Sequence, residues 1–182
     1  MNSPMDIHIM SWNIIKKYFK EEPNALVLHH LQSYNEFIHK GIKQIFTERN
    51  PIEIRKNYNN TIDDYEIQAN VYLGKKDGTG IHFGKPIIYD KDRVNDMMPN
   101  EARLRNMTYG YTLHVDIMFK FKTYNQETKE FISEYFTIDK YFFGKFPLMI
   151  HSDLCILSSM NSETRFHMGE CKNDYGGYFI ID

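Results

Sequence analysis

The run Tyr109-Gly110-Tyr111-Thr112-Leu113-His114-Val115-Asp116-Ile117-Met118-Phe119-Lys120-Phe121 decides how this chain folds. Every odd position is apolar, and four of the six even positions (Thr112, His114, Asp116, Lys120) are strongly polar. Side chains along a β-strand alternate between its two faces, so a period of two predicts a long strand with one buried face and one face toward water or a partner. Asn125-Gln126-Glu127 reads as a turn, and Phe131–Ile138 as the return strand of a long hairpin.

Upstream, Tyr65, Ile67, Ala69, Val71 and Leu73 alternate with polar neighbours and predict a second half-buried strand. Lys56–Asp64 is Asn-rich and reads as a loop, Gly74–Gly80 as a turn, and Ile81–Tyr89 as a short strand interrupted at Pro86. Before these the period is helical. Trp12, Ile15 and Phe19 mark a first helix, with Ser11 as its N-cap and Glu21-Glu22-Pro23 as its stop. Leu31, Tyr34, Ile38, Ile42 and Ile45 form the apolar stripe of a second, which Arg49-Asn50-Pro51 ends. Further strands are expected at Tyr141–Ile150, Leu154–Leu157 and Tyr178–Ile181. Two early helices followed by local strand pairing predict an α+β fold, with the N-terminal helices packed on a mostly antiparallel sheet. No internal repeat or low-complexity linker appears, so a single domain over 1–182 is expected.

Composition narrows the function classes. The 182 residues are 42% hydrophobic and 25% charged, a globular balance that excludes disorder and fibrous architectures. No apolar run approaches the roughly 20 residues of a membrane-spanning helix, and the first residues lack the pattern of a secretory signal. Net charge is −2, so a nucleic-acid role must be local or shared with partners. Two cysteines suit a reducing compartment, where the sequons at Asn59 and Asn106 carry no sugar.

The chemistry-bearing patterns are sparse. Of eight histidines only His29 and His30 are close, and adjacent helical residues are expected to diverge. Cys155 and Cys171 each lack a CxxC partner, an incomplete zinc set. Gly78-Thr79-Gly80 resembles a nucleotide loop, but the strand-like Ile81-His82-Phe83 comes after it where a helix is required, so a hairpin turn is expected. No paired carboxylates suggest a two-metal site, and no catalytic residue is assigned. Arg103 and Arg105, two apart before the long strand, and Lys145 are the candidate nucleic-acid contacts; the alternative for the arginines is pairing with Glu101, Asp96 or a carbonyl.

Four blocks carry a resemblance: His30–Ile38, Pro99–Tyr109, Gly144–Leu157 and Gly169–Ile181. In this order and spacing they resemble the N-terminal part of the second-largest, beta-like subunit of multisubunit DNA-directed RNA polymerases, eukaryotic or large-DNA-virus type. The resemblance covers residues 11–182. It implies the start of the protrusion, an α+β domain on the wall of the DNA cleft that helps enclose nucleic acid and packs on the rest of its own subunit. It further implies that the two magnesium ions of nucleotide transfer are held by other subunits, with no cofactor in this segment. The implied partners are the remainder of the second subunit, the largest subunit, other polymerase subunits, and DNA and RNA, with no membrane. The implied location is intracellular: the nucleus, or virion and host cytoplasm for a virus. Where the family continues past the Gly176-Gly177 block with Asn-Gly and a Glu-Lys-Val segment, this chain has Asp182, so a segment truncated at its C-terminal end is expected. His151 stands where the family usually has arginine. The alternative is a free-standing protrusion-like module that binds protein or nucleic acid.

Overall fold

A computed structural model describes residues 7–90 and 93–182. In chain order the elements are α1 (Ile7–Glu21), α2 (Leu28–Glu36), a π-helical turn (Phe37–Gly41), α3 (Ile42–Arg49), β1 (Ile52–Asn59), β2 (Asp64–Leu73), β3 (Ile81–Phe83), β4 (Ile87–Asp90), β5 (Arg93–Asp96), α4 (Pro99–Leu104), β6 (Gly110–Asn125), β7 (Glu130–Pro147), a 3-10 turn (Ile156–Ser159) and α5 (Ser162–His167). All strand pairs are antiparallel and the sheet is open, so the class is α+β as expected. No helix among the described residues is long and apolar enough to cross a membrane. The chain divides into two compact units, one of residues 36–97 and 110–147, the other of residues up to 35, 98–109 and 148–182.

The first unit is built on β6. The hairpin predicted from its alternation forms, with β7 paired along its whole length from Gly110↔Pro147 to Asn125↔Glu130. The expected strand at Tyr141–Ile150 is the far end of β7 and stops at Pro147. Tyr111, Leu113 and Val115 are buried, as the odd-face reading requires. The even face departs from its expectation at Asp116, which is only 4% exposed. Both neighbours of β6 break there. On one side β2 pairs Leu73↔Ile117 and β3 resumes at Ile81↔Val115. Gly74–Gly80 is therefore a loop extruded from one interrupted strand, not a hairpin turn. Gly74 N–H donates to the Asp116 carbonyl, and Asp116 N–H to the Gly80 carbonyl. On the other side the β7 register shifts between Val115 and Ile117, a β-bulge. The Asp116 carboxylate occupies the gap. It accepts from Lys140 N at 2.9 Å, faces His82 Nε2 at 3.1 Å, and pairs with Lys75 Nζ at 3.2 Å. The Lys140 N–H holds this carboxyl below the usual carboxylate range, against burial, with help from His82 and Lys75.

Two further expectations in this unit are corrected. Residues 52–59 form a strand where a loop was expected over 56–64. β1 is a sheet-edge strand exposed along nearly its whole length, so no buried face imposed an alternation that a sequence reading could detect. The helical stripe also slips. Ile38, Ile42 and Phe46 are buried while Ile45 is 51% exposed. The π turn holds one residue more than an α turn and rotates α3 relative to α2. The inward position after Ile42 is therefore Phe46, whose ring meets Phe143 edge-on at 5.3 Å. A small second sheet, β4 with β5, had no sequence signal.

The other unit has little regular structure. α1 forms, but it begins at Ile7, so Ser11 lies inside it and donates Oγ to the Ile7 carbonyl instead of capping. No α1 residue is buried; Trp12, Ile15 and Phe19 are exposed. Its core collects Leu31, Ala102, Tyr109, Leu148, Met149, Ile150, Cys155 and Leu157. Each large apolar side chain fully withdrawn from water contributes about 1.5–3 kcal/mol. Leu154–Leu157 is a turn entering the 3-10 segment, not a strand. Tyr178–Ile181 is extended and bonded to the chain, with Ile150 N to the Tyr178 carbonyl and Tyr109 N to the Ile180 carbonyl, but it forms no ladder. Its side chains are half-buried or exposed, so it is not the interior strand its apolar run suggested. Gly176 (φ +73°) turns the chain into it, and a Cβ there would lie 2.4 Å from the Ile150 carbonyl oxygen, so only glycine fits.

Candidate nucleic-acid interface

Arg103 and Arg105 sit on and just after α4, a six-residue helix begun by Pro99 at its first position. A short helix leaves its first N–H groups without intrahelical partners. Glu170, 3% exposed, meets that need: its Oε1 accepts from Asn100 N at 2.6 Å. Its Oε2 accepts from Arg103 Nη1 at 2.7 Å. Arg103 Nη2 donates to Tyr178 Oη at 2.7 Å, and Tyr178 in turn donates to Asp174 Oδ2. Asp174 Oδ1 takes the Gly176 N–H at 2.8 Å. Arg103 thus ties α4, the 170–176 loop and the terminal extended segment together within one unit. Burial pushes the Tyr178 hydroxyl up to about 12, with its bond to Asp174 adding to the shift. Burial also works against the Arg103 charge, but the Glu170 carboxylate outweighs it and keeps the guanidinium above its ordinary value.

Arg105 is placed differently. It pairs with Glu101 at 2.9 Å, one helical turn back, with the guanidinium still in water. The structure therefore realises the pairing alternative for both arginines, with Glu101 for Arg105 and Glu170 for Arg103. Lys145, in the other unit, is exposed on β7 opposite Thr112. Glu170 lies inside the Gly169–Ile181 block, but nothing in its sequence neighbourhood marks it as a buried carboxylate.

His151 adopts φ +66°, and Arg165 Nη1 lies 3.1 Å from each of its ring nitrogens. Burial, then the Arg165 charge, push its pKa below the usual imidazole value, so the ring is a neutral acceptor for the guanidinium. Position 151, where the resemblance expects arginine, thus has a guanidinium against it, delivered from α5.

The remaining sequence candidates are spread out. Cys155 is buried with its Sγ 3.6 Å from Tyr109 Oη, while Cys171 is exposed rather than half-buried. The rings of His29 and His30 lie 3.9 Å apart, closer than adjacent helical positions led us to expect. Among the described residues no group of three or more His, Cys, Asp or Glu side chains is arranged to hold a metal ion.

The family described as RNA polymerase beta subunit matches residues 25–182. The chain belongs to that family. It is 33% identical over 174 residues to DNA-directed RNA polymerase II subunit 2 of Arabidopsis thaliana, covering 94% of this chain and 14% of the relative. It is 32% identical over 184 residues to the probable DNA-directed RNA polymerase II subunit RPB2 homolog of Invertebrate iridescent virus 3, covering 98% and 14%. It is 29% identical over 173 residues to the archaeal DNA-directed RNA polymerase subunit Rpo2N of Methanothermobacter thermautotrophicus, covering 94% and 28%. The chain therefore spans about a seventh of the eukaryotic-type relatives and just over a quarter of the archaeal one. As a beta-subunit family member it carries the Gly169–Ile181 block in a structural role, since Glu170, Asp174, Gly176 and Tyr178 all hold the frame around Arg103.

Proposed function

We propose that this chain serves as the N-terminal, protrusion-forming part of the second-largest subunit of a DNA-directed RNA polymerase. There it contributes to the wall of the DNA cleft during DNA-templated RNA synthesis. The observation that carries this reading is the family match over 25–182, with relatives named as that subunit covering 94% of the chain. The role is architectural: the polar residues brought together here brace loops and helix ends, and the two-magnesium chemistry is supplied by other subunits. Its partners are the rest of the second subunit, the largest subunit, and the DNA and RNA they enclose, and its location is that of the enzyme, in the nucleus or in virion and host cytoplasm. Of the three candidate cations, Arg105 and Lys145 present exposed charge for backbone phosphates, while Arg103 holds the frame around α4. A tagged chain recovered from its source tests the reading. Co-purification of the largest polymerase subunit, with template-dependent RNA extension in the eluate, is expected. Recovery free of any polymerase subunit overturns it.

A further inference from the structure

One cavity in the unit of residues up to 35, 98–109 and 148–182 has no role in the polymerase reading. It holds about 460 Å3, within the range of small-ligand pockets, and α5 and the 151–160 and 172–175 segments supply most of its wall. Two cations line it, Arg165 and Lys172. Among the described residues neither has a carboxylate partner. Arg165 Nη1 rests on the neutral His151 ring, and its Nε, withdrawn from water, meets no acceptor. Lys172 Nζ lies 4.5 Å from the centre of the Phe166 ring, a contact that positions the ammonium without neutralising it. The two aspartates in the wall are turned to other duties. Asp153 exchanges hydrogen bonds with Asn35, and Asp174 serves Gly176, Tyr178 and Arg103.

A half-buried guanidinium with an unmet N–H is expensive unless an anion completes it. Its planar fork matches two oxygens of one oxyanion, and an ammonium beside it adds a point charge suited to phosphate. We infer that this cavity is a binding site for a phosphoryl group, held by Arg165 Nε and Nη and by Lys172, with His151 fixing the guanidinium in place. The inference stands independently of the polymerase reading.

The shared chemistry can come from a small phosphate compound or from a nucleic-acid backbone, and two probes separate these. The 182-residue chain is titrated at fixed ionic strength with inorganic phosphate, and separately with a single-stranded oligodeoxynucleotide lacking terminal phosphates. The Arg165 Nε–Hε resonance is monitored by NMR, with chloride as the blank. Saturation is expected, weakened about tenfold by Lys172→Gln and at least as much by Arg165→Gln, the size of one lost charge-assisted hydrogen bond. Saturation by phosphate alone assigns the site to small phosphate compounds, and saturation by the oligonucleotide assigns it to the nucleic-acid backbone; either upholds the inference. Saturation by neither probe, or binding that Lys172→Gln leaves unchanged, overturns it. Lys172 is exposed, so that variant keeps the fold and decides the matter even if Arg165→Gln does not.

Discussion

Arg103 and Glu170 lie 67 residues apart in sequence and meet at 2.7 Å in one unit, where the glutamate also bonds the start of the helix that carries the arginine. The pair closes a loop of interactions: Glu170 positions α4, α4 aims Arg103, and Arg103 reaches Tyr178 in the terminal extended segment.

Removing one member should be far worse than the exposure of Arg103 suggests. Arg103→Gln leaves a buried carboxylate with one N–H donor, and losing one partner of a buried pair costs about 3–5 kcal/mol. With Arg103 partly in water we expect the low end, about 3 kcal/mol, and a melting temperature lower by roughly 6–12 °C for a chain of this size. Arg105→Gln, which breaks only an exposed pair one turn apart, should cost under about 0.5 kcal/mol. Equal effects of the two substitutions in urea denaturation would refute this account of Arg103.

Asp116 is the corresponding fixture of the other unit. Asp116→Ala leaves the Lys140 N–H without its acceptor and should cost about 1–3 kcal/mol. Its carboxyl is held below its ordinary value of 3.8. The unfolded chain therefore takes up a proton more readily there. The stability this group gives is complete above that value and falls away as pH drops below it, through the folded-state pKa. Acid unfolding midpoints of the parent and the Asp116→Asn variant, which no longer titrates, report the difference.

His151 should set a separate, milder dependence at higher pH. Its folded pKa lies below the ordinary 6.5, so between those values the unfolded chain binds a proton that the folded chain resists. Stability is full above about pH 6.5 and declines as pH falls through the window beneath it. His151→Asn tolerates the left-handed backbone and does not titrate, so its thermal stability should be flatter across that window. A parent curve as flat as the variant's would contradict the burial and Arg165 contact assigned to this ring.

Gly176→Ala should be among the most disruptive single changes. It combines a positive φ with a Cβ 2.4 Å from the Ile150 carbonyl oxygen, a backbone atom that cannot swing aside. A loss of about 2–4 kcal/mol is expected. Gly41→Ala also brings a close contact, 2.9 Å to Phe37 Cδ2, but that ring tip is exposed and free to turn. With alanine favoured over glycine in a helix by about 1 kcal/mol, Gly41→Ala should be neutral or stabilising. Thermal denaturation of the two variants side by side checks the contrast.

The alternation at 109–121 and the helical repeats at 12–19 and 31–42 were decisive by themselves, because a half-buried strand or helix must place its apolar residues at the period of its backbone. The four blocks likewise identified the family without coordinates. The rest depended on what each segment packs against. β1 is an edge with no buried face, so its polar residues looked like a loop. The π turn moved the inward position from Ile45 to Phe46, a rotation no periodicity announces. Four apolar residues at 178–181 looked like an interior strand, yet their neighbours take only two backbone bonds and leave Phe179 and Ile181 exposed. For the candidate site the sequence supplied the cations but not their roles. Arg103 and Arg105 are two residues apart and chemically identical, and only the tertiary structure decided that one meets a buried glutamate and the other stays in water. The reason is that a charge's role is fixed by the solvent and partners around it, and those partners come from segments some 70 residues away.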